Sequence, residues 1–170
     1  KLTTKFQEAL SDAQSLALGN DNAYIEPIHV LTAMLRQPDG PKSLLARSGA
    51  NVTAMTTAAE NAIKRLPQVQ GHDQVTVGPD RQLVLEGVLQ ATEKEAIKRG
   101  DQFYASELFL LALTDDKGES GRIVREAGLT RKALESAIDA VRGGQSMDSA
   151  DGESQREALK KYTLDLTERA

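Results

Sequence analysis

The second half of the chain repeats the first. A shift of 79 residues, made without a gap, brings identical residues together at seven positions, namely Leu10 with Leu89, Ala17 with Ala96, Leu31 with Leu110, Ala33 with Ala112, Gly49 with Gly128, Ala54 with Ala133 and Ala58 with Ala137. The glycine match is the most informative, because each glycine follows a short helical stretch where a left-handed backbone favours this residue. The chain therefore contains two copies of one unit.

Helical spacing runs through each copy. In the first, apolar residues three and four apart predict a helix that ends at Gly19. Pro27 predicts the start of a second helix, and the Pro-Asp-Gly-Pro stretch at 38–41 ends it. A short third helix ends near Gly49, and Asn51 is placed to cap a fourth.

These patterns predict an all-α fold, a tandem repeat of two four-helix units at about 2–66 and 81–142. Units of this size bury too little surface to be stable alone, so we expect both to lie in one domain, 1–142. Residues 143–154, which are rich in Gly, Ser and Asp, predict a flexible linker. Helical spacing resumes over 155–170, where we expect a C-terminal helical segment.

Composition excludes several classes of protein. With 21 basic and 25 acidic residues the net charge is −4, which argues against a dedicated nucleic-acid binder. The chain has no cysteine for a disulfide or a thiolate nucleophile. Apolar runs such as Leu108–Leu113 are too short to cross a bilayer. We expect a cytoplasmic protein that binds neither nucleic acid nor membrane.

No stretch of the sequence predicts catalysis. Gly40-Pro41-Lys42-Ser43 lacks the glycines of a phosphate-binding loop and is better explained as a helix break. Glu26 and His29 have the spacing of half a di-iron site, but the second copy has Ala105 and Leu108 there. His72, beside Asp73, is most simply a solvated loop residue. We expect no enzyme activity, cofactor or metal in this chain.

Two acidic residues, Asp101 and Glu107, flank a predicted bend in the second copy. The simpler interpretation makes Ser106 the N-cap of a helix and Glu107 a first-turn carboxylate that interacts favourably with the helix dipole. The functional interpretation is a charged rim beside an apolar lip formed by Leu108. Spacing alone favours the first interpretation.

Several motifs together resemble the amino-terminal domains of the ClpB disaggregase family, within the Clp/AAA+ chaperones. They are Arg-Leu-Pro-Gln-Val at 65–69, Gly-Asp-Gln-Phe at 100–103, Ser-Glu-Leu at 106–108 and Leu-Lys-Lys-Tyr-Thr-Leu-Asp-Leu-Thr at 159–167. The resemblance covers about 2–170. It implies a non-enzymatic module that ends just before the first ATPase module of a longer protein.

The resemblance also implies partners and cofactors. The whole protein would be a homohexamer that uses ATP and Mg²⁺ and acts on unfolded or aggregated polypeptides together with the DnaK system. This fragment would be a monomer that captures such clients. Two alternatives stay open, an adaptor-docking domain of a protease-associated Clp unfoldase and a helical metal carrier.

Site residues follow from the same resemblance. The family's polar functional positions correspond to Thr3, Asp101 and Glu107, and its apolar substrate groove to Ala91, Glu95 and Leu108. Relatives usually have leucine at the first two of these positions. The glutamate at position 95 would weaken apolar contacts in the groove and favour basic clients. Otherwise it is displaced along the helix toward Val88 and Ile97.

Overall fold

Eight α-helices make up the described part of the chain. The computed structural model describes residues 1–69 and 79–153, with side chains at 1–69 and 84–153. The helices are α1 Thr4–Gly19, α2 Pro27–Arg36, α3 Lys42–Arg47, α4 Val52–Lys64, α5 Pro79–Arg99, α6 Ser106–Thr114, α7 Glu119–Glu126 and α8 Arg131–Arg142. Over these ranges there is no β-sheet, only two isolated bridges. The predicted all-α tandem repeat is confirmed.

Local chemistry explains where the helices begin and end. The side chains of Thr3, Asn51 and Thr130 each accept a backbone N–H of the helix that follows, at α1, α4 and α8. Gly49 and Gly128 have φ of 86° and 93°, the left-handed conformation predicted from their match. One expected cap is wrong, because Ser106 lies inside α6, whose N-cap is Ala105.

The two repeats share one core. Within each repeat the first two helices pack together, α1 on α2 and α5 on α6, while α4 on α7 and α3 on α8 join the repeats. Phe6 of α1 meets Phe109 of α6 edge to face, with ring centroids 5.8 Å apart. Both rings are fully buried within one continuous apolar cluster. The halves therefore belong to a single folding unit.

Residues 146–153, which we call the strap, pack on the domain and differ in this from the expected flexible linker. Gln102 and Phe103 both donate their N–H groups to the Met147 carbonyl, at 3.0 Å. Met147, only 5% exposed, anchors the strap in the domain. Gln68, 79 residues before Met147, forms a bridge with Asn22, and Asn22 matches Asp101, which accepts the Met147 N–H at 3.0 Å. The start of the strap therefore corresponds to an ordered position in repeat one. The predicted 155–170 helical segment lies outside the described residues.

None of the described helices is a candidate for a membrane-spanning segment. In the described residues, no helix combines the length and the apolar character that crossing a bilayer requires.

Candidate functional site

The three predicted polar residues lie in one buried cluster, together with Arg142 of α8. The Arg142 Nη1 donates to both carboxylate oxygens of Asp101, at 2.9 and 2.7 Å, and its Nε donates to Glu107 at 2.8 Å. The side chains of Asp101 and Glu107 are 0% and 2% exposed, against 5% for Arg142. These acids are thus members of an internal ion triad and not an exposed rim.

The electrostatics of the triad follow from its burial. Desolvation alone would lower the pKa of Arg142, but the negative charges of Glu107 and Asp101 and the hydrogen bonds to them raise it overall. Arg142 is therefore a permanent cation. Its Nη2 is buried without a hydrogen-bond partner.

Thr3 joins the cluster through the strap. Its hydroxyl accepts the N–H of Phe6 as the cap of α1 and donates to Oε1 of Glu153, at 2.8 Å. The same Glu153 oxygen accepts the backbone N–H of Ser106, at 3.1 Å, in the first turn of α6. Burial raises the pKa of Glu153, the charge of Glu107 raises it further, and the hydrogen bonds from Ser106 and Thr3 lower it, with a net upward shift.

The predicted apolar groove is not present as an open surface around Leu108. Leu108 is fully buried in the core and cannot form a lip. Ala91 is half-buried against the same core. Glu95 pairs with Arg131, which also bridges to Asp115, at 2.7 Å, so the guanidinium spans the ends of α5 and α6. Thr3, Asp101 and Glu107 come together, whereas Ala91, Glu95 and Leu108 do not join them.

The alternative, displaced groove would involve Val88 and Ile97, and these two residues differ in exposure. Val88 is buried, whereas Ile97 is 66% exposed. Leu18, which matches Ile97 in repeat one, is also exposed. Each repeat thus presents one large apolar side chain at the same place on its first helix.

Repeat one has a true groove. A depression of about 450 Å³ runs between α1 and α2. It is lined by charged, polar and aliphatic side chains and by backbone, from Lys5, Glu8, Asp12, Ser15, Leu16, Gly19, Asn20, Ala33, Arg36, Gln37 and Pro38. Leu16 and Arg36 match Glu95 and Asp115 of repeat two, where Arg131 bridges the corresponding place. The groove is therefore open in repeat one and crossed by ion pairs in repeat two.

The two residues with the spacing of half a di-iron site belong to a hydrogen-bond network in repeat one. His29 Nδ1 accepts the Glu26 N–H at 2.9 Å, so its Nε2 carries the proton that is donated to Asn22 Oδ1, also at 2.9 Å. No group of three or more potential metal-ligating side chains occurs where side chains are described. His72 lies outside the described residues.

We expect His29 to make stability depend on pH. Burial lowers its pKa from 6.5 to about 4. Between these values the unfolded chain binds the proton and the folded chain does not, so stability is complete above pH 6.5 and falls as the pH drops toward 4. The shift corresponds to about 3 kcal/mol. Urea unfolding at several pH values checks this, with His29→Gln as the control that lacks the His29 contribution. Equal pH slopes in the two proteins would contradict it.

Arg142, Glu153 and Met147 are site residues that sequence reasoning missed. A signal for Arg142 was present, since Asp101, Glu107 and Arg142 match Asn22, Ile28 and Ile63 of repeat one. Two acids and one cation thus replace neutral residues together, as a buried ion triad requires. Glu153 and Met147 had no such signal, because their segment has the composition of a linker.

Comparison with known proteins bears on this architecture. A family model described as the Clp repeat (R) N-terminal domain matches residues 1–127. The chaperone protein ClpB of Vibrio cholerae is 43% identical over 173 residues, covering 100% of this chain and 20% of that protein. ClpB of Dichelobacter nodosus is 43% identical over 171 residues, covering 99% and 19%. The crystal structure of the Hsp104 N-terminal domain from Candida albicans has a TM-score of 0.74 at 21% identity, over 90% of this chain and 99% of that one.

The two matching four-helix units share one core, so the protein is an all-α domain built from a duplicated repeat. The Hsp104 likeness supports that fold alone, because its identity is low. With a family model matched over most of its length, the chain belongs to the Clp repeat N-terminal domain family. It spans about a fifth of the length of the curated relatives it matches.

Proposed function

We propose that this chain is the client-capturing and regulatory N-terminal module of an ATP-dependent protein disaggregase. Support comes from relatives that are chaperone proteins named ClpB and from the short share of their length that the chain covers. Hexamer formation, ATP and Mg²⁺ binding, and work with the DnaK system on aggregated proteins in the cytoplasm belong, in this proposal, to the longer protein. We expect the chain itself to be a monomer that hydrolyses no ATP.

The observation that carries the proposal is the groove between α1 and α2. Its volume of about 450 Å³ lies within the range of ligand-binding clefts. Lys5 and Arg36 supply positive charge and Glu8 and Asp12 negative charge, beside the aliphatic surfaces of Leu16 and Pro38. A surface with both signs of charge and some apolar area suits extended polypeptides of varied sequence. We take an unfolded polypeptide to be its occupant.

Fluorescence polarisation of a labelled, permanently unfolded polypeptide tests capture. We expect saturable binding by the wild type and about tenfold weaker binding by Leu16→Glu, because a glutamate removes an apolar contact worth about 1.5 kcal/mol. This variant places in repeat one the residue that repeat two has at the matching position. Ile97→Glu is the matched control, with the same charge change on an exposed residue outside the groove, and should bind like the wild type.

Three other results are informative. Equal binding by both variants would leave capture standing and remove the groove as its surface. Absence of binding by the wild type would contradict capture and favour docking of a folded adaptor, as in protease-associated Clp unfoldases. Saturable ATP hydrolysis by the pure chain would contradict a non-catalytic module.

A further inference from the structure

The strap is held mainly by polar contacts. Besides the Met147 carbonyl, the Ala150 carbonyl accepts the Thr4 N–H at 2.8 Å, and the Thr4 hydroxyl donates to Asp151 at 2.9 Å. Met147 also donates its own N–H to Asp101, at 3.0 Å. It is the only large apolar side chain among residues 146–153. Little apolar area therefore opposes separation of this segment from the domain.

The Glu153 carboxyl group has defined hydrogen-bond donors in the domain. Its Oε1 is bound by the Thr3 hydroxyl and the Ser106 N–H, at the positive end of α6. The Ser106 hydroxyl lies beside it, fully buried and with no hydrogen bond of good geometry. Two donors thus bind one carboxylate oxygen, and a third lies beside it, in a residue that is only 6% exposed and close to the negative charge of Glu107.

The closed strap and an accessible cluster exclude each other. With the strap in place, Thr3, Ser106, Asp101 and Glu107 are all buried. Desolvation of the Glu153 carboxylate and repulsion from Glu107 both weaken the closed state, while the hydrogen bonds to Thr3 and Ser106 favour it. Closure of the strap therefore combines favourable hydrogen bonds with an unfavourable electrostatic environment for Glu153.

We propose that the strap is an autoinhibitory segment, in which Glu153 occupies in cis a site that binds an acidic side chain of a captured polypeptide once the strap lifts. This inference rests on the proposed function of client capture. The strap would limit the competent fraction of the domain, and apparent affinity falls in proportion to that fraction. The ligand is a polypeptide carboxylate, bound by the Thr3 hydroxyl and by the N–H and hydroxyl of Ser106.

A disulfide can hold the strap closed. The side chains of Thr4 and Asp151 are hydrogen-bonded at 2.9 Å, and the chain has no cysteine of its own, so in Thr4→Cys with Asp151→Cys the only intramolecular disulfide that oxidation can form is the one between these two positions. Polarisation with a glutamate-containing unfolded polypeptide should show at least fivefold weaker binding to the oxidised than to the reduced double variant. Mass spectrometry confirms the disulfide, and circular dichroism confirms that both forms are folded. Equal affinities would overturn the proposal.

An open strap should bind more tightly. We expect Glu153→Ala to bind the glutamate polypeptide at least fivefold more tightly than the wild type, and to lose that gain when every glutamate in the polypeptide is replaced by glutamine. Asp148→Ala, an exposed strap residue that loses the same charge, is the control and should match the wild type. An equal gain in Asp148→Ala would overturn the proposal in favour of a general charge effect.

The two proposals fail in different ways. If the polypeptide binds with the same affinity whether or not the disulfide is formed and whether or not Glu153 is present, autoinhibition is overturned and the proposed function stands. No binding by any form, Glu153→Ala and the reduced double variant included, would overturn both. A gain in Glu153→Ala that persists with the glutamine polypeptide would overturn the carboxylate site.

Discussion

Replacement of Arg142 with methionine should lower the free energy of unfolding by about 3–5 kcal/mol. The substitution removes the cation from a cluster in which the side chains of Asp101 and Glu107 are almost completely buried. Two carboxylates would then share a desolvated space with no positive charge between them, which is among the most destabilising changes a core can undergo. Urea unfolding at pH 7 measures the loss. Arg122→Met is the control, because its exposed pairs with Glu119 and Glu126 contribute less than about 1 kcal/mol.

Repeat one supplies a sharper test of the same idea. The triple variant Asp101→Asn, Glu107→Ile, Arg142→Ile installs the residues that repeat one has at the matching positions. Because it removes all three charges together, it should recover most of the stability that Arg142→Met loses. The amide oxygen of the introduced asparagine can still accept the Met147 N–H, so the start of the strap keeps its bond. A triple variant no more stable than Arg142→Met would contradict the interpretation that unpaired charge causes the loss.

Replacement of Phe109 with alanine should lower the free energy of unfolding by about 3–5 kcal/mol, the usual range for deleting a buried ring. Phe109 is fully buried and contacts the Phe6 ring of the other repeat. Its loss removes apolar burial and leaves a cavity between the repeats. Thermal unfolding followed by calorimetry and by circular dichroism measures the change.

The same experiment shows whether the repeats unfold together. With one continuous core, the Phe109→Ala transition should stay single and move to lower temperature. Two separated transitions, with repeat one unaffected, would contradict the shared core. Ile97→Ala is the control, because its exposed side chain contributes little to packing and should change stability by less than about 0.5 kcal/mol.

The fold could be predicted from the sequence because the signals for its helices are local and occur in both repeats. Helical spacing, Pro27 at a helix start, the Asn51 cap and the paired Gly49 and Gly128 each predict an element that the structure contains. Ser106 was misplaced as a cap because Ala105, which has no capping side chain, ends up in the extended conformation before α6. Such one-residue shifts at helix ends are set by tertiary contacts, here the bond of the Ser106 N–H to Glu153.

The site was less accessible, because it depends on contacts between residues far apart in the chain. Asp101 and Glu107 could be named as candidates from the sequence, but their partner Arg142 comes 41 and 35 residues later. A charged residue in the last turn of a helix is normally solvated, so nothing local distinguishes Arg142. Leu108 was expected at a surface, although it matches the buried His29 of repeat one. That comparison of the two copies would have placed it in the core.

The strap was the least predictable feature, since composition describes a chain's average tendency and not a specific docking site. One apolar residue, Met147, and one acid, Glu153, suffice to order it against a surface already shaped by α1 and α6.

The position of the strap has a mechanical consequence. It is the last described stretch of the chain, and residues 154–170 follow it directly. Tension exerted on the chain from that side would load the bonds to Glu153, Asp151 and Ala150 before it reached any helix of the core. These polar bonds lie between the pulled end and the helical body. In the proposed disaggregase, traction on the chain from that side would unmask the Thr3 and Ser106 donors, so pulling force would act as an input signal to the domain.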